Sequence, residues 1–119
     1  MSKGITIGIL LLFMSLVGCG PDTIFLRPNL DTPDHHIANG HALLNQGKTM
    51  DACREFRRAH ELDPENIEAL VGLAVALGRT GDVEQGLKIL EKAEQLATME
   101  TDRKIIEKGY EQLKKIPPR

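Results

Sequence analysis

Apolar residues recur at intervals of three and four positions through most of the chain after Thr32, and charged residues fill the positions between them. This spacing places apolar side chains along one face of an α-helix, as in helices that pack on a shared core. The pattern predicts an all-α fold with five helices, near residues 33–46, 50–62, 67–79, 83–97 and 101–115.

Residues with special backbone properties stand at the predicted helix ends. Thr32 precedes Pro33, and this pair suits an N-cap followed by the first helical position. Gly47 and Gly81 tolerate positive φ, so we expect each to end the first helix of a pair. The other N-caps that the sequence predicts are Thr49, Asn66 and Asp82, the last with Gln85 in a capping-box-like pair.

From Pro33 the chain aligns with itself after a shift of 34 residues, without a gap. Small residues recur where two helices would approach closely, and Phe56 and Leu90 recur as large residues that fill the space beside them. The aligned pairs include Ala42 with Ala76, Leu43 with Leu77, Gly47 with Gly81, Ala59 with Ala93 and Leu62 with Leu96.

This period and these residue types resemble the tetratricopeptide repeat, a pair of antiparallel helices. The resemblance implies a short helical solenoid with one repeat at 33–66, a second at 67–100 and a capping helix at 101–116. The matching residues are Gly40, Leu43, Gly47, Ala52, Phe56, Ala59 and Pro64 in the first copy, and Leu70, Ala74, Leu77, Gly81, Gly86, Leu90 and Ala93 in the second. The departures are His36, Asn39 and Thr98, where the family has Trp, Leu and Pro.

The connection between the fourth and fifth helices is less clearly marked than the others. No proline stands between Thr98 and Thr101, so a single helix fused across this segment is an alternative. Pro117 and Pro118 end the last helix in either case.

The first nineteen residues have the features of a bacterial export signal. Lys3 precedes a mostly apolar run of thirteen residues from Ile5 to Val17, which is too short to span a bilayer comfortably. The following Leu16-Val17-Gly18-Cys19 resembles a lipobox. That resemblance implies a signal peptide at 1–18 and lipidation of Cys19 with palmitate-type acyl chains. An ordinary signal peptide or an N-terminal anchor helix is the alternative.

Residues 19–32 are expected to form an extended tether, because Pro21 and Pro28 disfavour helix and no helical period is present. The apolar residues 24–26 within it lie either in a plain linker or against the domain or the lipid surface.

Gly20 follows Cys19 in place of an aspartate. In a Gram-negative cell this favours the outer membrane, facing the periplasm. In a Gram-positive cell the same signal leads to the outer face of the cytoplasmic membrane.

Composition excludes several functional classes. Fifteen basic and seventeen acidic residues give a net charge of −2, and only four aromatic residues occur, so we expect no nucleic-acid binding.

Cys53 and His60 are the best-placed ligand pair, but a metal site needs further ligands. No catalytic constellation is recognisable, so we expect neither enzymatic activity nor a cofactor. Cys53 is interpreted as an apolar core residue.

The resemblance also implies a binding surface, because the first helix of each repeat lines an inner groove that receives a peptide or a helix. Ile37 and Val71 stand where recognition of a C-terminal carboxylate needs basic or amide side chains, so we expect an apolar or amphipathic segment of a partner protein. The fifth helix adds Asp102 and Ile105. The predicted groove residues of the two repeats are Asp34, Ile37, His41, Leu44, Asn45, Glu68, Val71, Val75 and Arg79.

Two repeats bury little surface, so self-association or docking on a larger partner would add stability. The hypothesis is a scaffold or assembly factor for an envelope machine such as one for pilus, secretion or outer-membrane assembly. The alternative is a small accessory or metal-handling subunit of an envelope enzyme that uses His side chains and Cys53.

Overall fold

The computed structural model describes residues 30–118. The predicted signal peptide, Cys19 and the tether up to residue 29 lie outside the described residues. Within the described range all regular elements are helices: α1 Pro33–Asn45, α2 Thr49–Leu62, α3 Ile67–Thr80, α4 Val83–Leu96 and α5 Glu100–Lys114. None of these helices combines the length and apolarity needed to cross a bilayer.

The helices stack in chain order, which confirms the predicted all-α helical solenoid. Each helix packs against the next, and α3 also contacts both α1 and α5. The first helices of successive pairs, α1, α3 and α5, therefore form one layer, and α2 and α4 pack against it. Every predicted helix end lies within one residue of the observed end.

Three of the predicted N-caps are confirmed. The Thr32 hydroxyl accepts a hydrogen bond from the His35 backbone N–H at 3.3 Å. Asn66 accepts from Ala69 at 3.0 Å, and the Asp82 carboxylate accepts from the Gln85 backbone N–H. Each bond satisfies one backbone N–H that the first turn of a helix leaves free.

The prediction for Thr49 is wrong. The N-cap of α2 is Lys48, which makes no side-chain capping bond, and Thr49 is already the first helical residue. The physical reason lies in the turn before it. Gly47 takes a positive φ of 76° and the Lys48 N–H donates to the Leu43 carbonyl, so the chain enters α2 one residue earlier.

The alternative of one helix fused across Thr98 to Thr101 is also wrong. Helix α4 ends at Leu96, and α5 begins at Glu100. The Asp102 carboxylate accepts hydrogen bonds from the backbone N–H groups of Thr98 and Met99, each at 3.2 Å. These bonds stabilise the break in the place where the family has a proline.

The core confirms the predicted pairing of small and large residues. The Phe56 ring is fully buried between α1 and α3. An added Cβ on Gly40 would lie 2.7 Å from Phe56 Cζ, and one on Gly72 would meet the same ring. Leu90, the equivalent residue of the second repeat, is fully buried and lies close to Gly109 of α5.

A polar cluster surrounds His36, which stands where the repeat usually has a tryptophan. His36 Nδ1 lies 2.7 Å from a Glu55 carboxylate oxygen, and Nε2 lies 3.0 Å from an Asp31 oxygen. Burial alone would lower the pKa of His36, but the hydrogen bonds to Glu55 and Asp31 more than offset it and raise that pKa. The hydrogen bond from Arg58, and to a smaller extent the one from His36, lowers the pKa of Asp31. Through these contacts with His36 and Arg58, the cluster holds Asp31 against α1 and α2.

Candidate functional site

A cavity of about 280 Å³ lies between α1, α3 and α5, the three helices of one layer. Its apolar residues come from all three helices, and polar side chains surround them. We call this cavity the inner groove. It is lined by His41, Leu44, Glu68, Val71, Gly72, Val75, Ile105, Lys108, Gly109 and Gln112.

The structure brings together five of the nine predicted groove residues, namely His41, Leu44, Glu68, Val71 and Val75. It also places Ile105 of α5 beside them, as the sequence indicates. These positions were predicted from the resemblance to the repeat, and they recur along the same face of α1 and α3.

The other four predicted residues do not line the inner groove. Asp34 and Asn45 are exposed on α1. Ile37 is 6% exposed and packs in the core with Phe56. Arg79 lines a different cavity, near Pro117, and its guanidinium donates to the Leu44 carbonyl at 3.5 Å.

Three of the predicted groove residues are almost fully buried. Leu44 is 7% exposed, Val71 is 8% exposed and Val75 is 3% exposed. These side chains form a packed floor, and only their outer atoms are available to an occupant. Periodicity identifies the inward face of a helix, but it carries no measure of how closely the neighbouring helices cover that face.

The polar rim includes one contact between helices. His41 Nε2 lies 3.3 Å from a Glu68 carboxylate oxygen, and both side chains are about half exposed. The His41 ring also meets the Phe56 ring edge to face, with centroids 5.1 Å apart. The rim of the groove is therefore connected directly to the central core residue.

Sequence reasoning missed Lys108 and Gln112, which complete the rim on α5. For Gln112 the 34-residue shift was the available signal, because two such shifts align it with Leu44, which lines the groove. For Lys108 the same shift indicates the wrong face, because it aligns Lys108 with Ala74 and Gly40, which are small and buried. A charged residue there indicates that α5 presents a polar face at this end of the stack.

A second cavity, of about 610 Å³, adjoins the inner groove at the N-terminal ends of α3 and α5. The two cavities share Glu68 and Ile105 as lining residues. We call the second one the edge pocket. Its lining residues are Glu65, Asn66, Ile67, Glu68, Gln95, Leu96, Thr98, Met99, Asp102 and Ile105.

Cys53 and His60 do not have the environment of a metal or nucleophile site. Cys53 is 5% exposed, and burial raises the pKa of its thiol, which disfavours the thiolate form. Burial, followed by the nearby charge of Lys92, lowers the pKa of His60. Across residues 30–118 no three His, Cys, Asp or Glu side chains are placed to hold a metal ion. The interpretation of Cys53 as a core residue fits its burial.

Comparison with known families matches residues 43–100 to the tetratricopeptide repeat. The match extends from the last turn of α1 to the first residue of α5, and it supports the repeat that the 34-residue recurrence indicates. Searches of curated proteins and of solved structures returned no match. Repeats of this kind generally serve as modules for protein–protein interaction, and their fold is generally non-catalytic.

Proposed function

We propose, with the tetratricopeptide repeat at residues 43–100 as the premise, that this chain is a lipid-anchored envelope protein that binds a segment of a partner protein in its inner groove. Its role is that of a scaffold or assembly factor for an envelope machine, such as one that builds a pilus, secretes proteins or assembles the outer membrane. The partner segment is apolar or amphipathic.

The inner groove is the observation that carries the binding part of this proposal. Three helices from successive repeats converge on one cavity, and the cavity has an apolar floor with a polar rim. Such a surface suits a peptide or helix whose apolar side chains reach the floor while its polar groups meet the rim.

The envelope part of the proposal is supported by the N-terminal sequence. A basic residue, a short apolar run and a lipobox-like Leu16-Val17-Gly18-Cys19 follow one another in the order of a lipoprotein signal. Acylation at Cys19 with more than one chain would hold the protein firmly at a membrane, whereas a single chain binds only marginally. Gly20 favours the outer membrane in a Gram-negative cell.

Site-specific photo-crosslinking in the native host tests the binding part. A photoreactive amino acid at Lys108 or Gln112 places the probe on the rim of the inner groove, and Lys88 and Lys92 on the exposed face of α4 are the matched controls. We expect one protein adduct that forms from the two rim positions and is at least about fivefold weaker from the two α4 positions. Equal adduct yields from both helices would contradict binding in the groove.

Replacement of the predicted lipidated cysteine tests the anchor. We expect Cys19→Ser to abolish incorporation of labelled palmitate and to leave a larger, unprocessed precursor on a denaturing gel. The control is Cys53→Ser, which should still be lipidated and processed, because Cys53 is buried in the domain. Normal processing of the Cys19→Ser protein would show that an ordinary signal peptide is removed instead.

A further inference from the structure

We propose that the partner segment is amphipathic and basic on one side, with apolar side chains in the inner groove and the edge pocket and with Lys or Arg side chains against the carboxylates of the edge pocket. This inference rests on the proposed function of the inner groove. It adds the charge of the partner and the direction in which the partner lies.

The two cavities are adjacent, and we take them together as the path of the partner segment. Glu68 and Ile105 line both of them, so the proposed segment passes these two residues as it extends from the inner groove to the edge pocket. The edge pocket also has apolar surface for such a segment. Met99 is 59% exposed there, and Leu96 is partly exposed beside it. A large apolar side chain left this open on a folded domain is available for contact with a partner.

Charge is distributed unevenly along this path. The edge pocket is lined by three carboxylates, those of Glu65, Glu68 and Asp102, and its lining includes no Lys, Arg or His. In the inner groove the basic side chains are His41 and Lys108, and Glu68 at the boundary is the acidic one. A partner that complements this surface therefore carries its positive charge at the edge pocket.

Two of the three carboxylates are free of a structural role in capping. Asp102 accepts the backbone hydrogen bonds that hold the break between α4 and α5. Glu65 is exposed and, among residues 30–118, makes no ion pair. Glu68 is half exposed, and within the same residues its one charged contact is with His41. Glu65 and Glu68 can therefore be neutralised without removing the bonds that shape the pocket, and Asp102 is left unchanged in the test.

Three matched peptides measure the preference for positive charge. They share one amphipathic helical sequence with leucine on its apolar face, and they differ only in having Lys, Gln or Glu at the flanking positions. Each fluorescent peptide is titrated with the full-length lipoprotein in micelles of a non-ionic detergent, and binding is read by anisotropy. We expect the Lys peptide to bind about tenfold more tightly than the Gln peptide, and the Glu peptide to bind most weakly.

A double variant assigns the preference to the edge pocket. Glu65→Gln with Glu68→Gln should reduce the advantage of the Lys peptide over the Gln peptide to less than about threefold. The matched control is Glu84→Gln with Glu91→Gln on α4, which removes the same charge and should keep the full advantage.

The outcomes separate this inference from the proposed function. Equal binding of the three peptides, an equal loss in the α4 control, or no binding of any peptide would overturn the inference. The proposed function is judged independently by photo-crosslinking from Lys108 and Gln112. Adducts at those positions together with equal peptide binding would retain the groove and reject the charge preference.

Discussion

Replacement of Phe56 by alanine is expected to lower the free energy of unfolding by about 3–5 kcal/mol, the usual cost of truncating a fully buried aromatic side chain. The ring is 0% exposed and lies between α1 and α3, against Gly40 and Gly72. Its removal leaves a cavity that the helices cannot close without losing other contacts. The measurement is urea denaturation followed by circular dichroism.

The control for this prediction is Met50→Ala in the same helix. Met50 is 63% exposed, so its truncation should change the free energy of unfolding by no more than about 0.5 kcal/mol. A similar loss of stability in the two variants would mean that Phe56 is not the central packing residue of the first repeat.

Substitution of Gly72 by alanine should also lower the free energy of unfolding, by about 1–3 kcal/mol. The added methyl group would meet the Phe56 ring far inside normal contact distance. Alanine is favoured over glycine inside a helix by about 1 kcal/mol, so a net loss means that the steric effect exceeds the gain in helix propensity.

A double-mutant cycle isolates the contact between these two residues. The three atoms nearest to a Cβ added at Gly72 all belong to the Phe56 ring. Gly72→Ala should therefore be neutral or stabilising when Phe56→Leu has already removed the ring. Persistence of the full loss in the Phe56→Leu background would show that another contact makes glycine necessary.

The sequence was sufficient for the architecture because the features that determine it are local and repeated. The 34-residue recurrence indicates the helix pairs, and Gly47 and Gly81, with φ of 76° and 108°, end the first helix of each pair as expected. Phe56 and Leu90 are the buried residues that the alternation of small and large side chains indicates. Each of these inferences depends on spacing along one or two helices.

Features that depend on which residues are close together in the folded domain could not be predicted from spacing along the sequence. The contact of Asp31 with Arg58 joins residues 27 positions apart, and no local pattern indicates it. The closed floor of the inner groove depends on how near α3 and α5 lie. The edge pocket lies beside the break at Thr98, and the hydrogen bond that stabilises this break comes from Asp102, four residues further along the chain.

The location of the bound partner segment tests the central claim most directly. Once crosslinking has identified the segment, the corresponding peptide is added to methyl-labelled protein and the methyl NMR spectrum is recorded. We expect the largest shifts at Leu44, Val71, Val75 and Ile105, which line the inner groove. Shifts confined to the methyl groups of α2 and α4, with those four signals unchanged, would contradict binding in the groove.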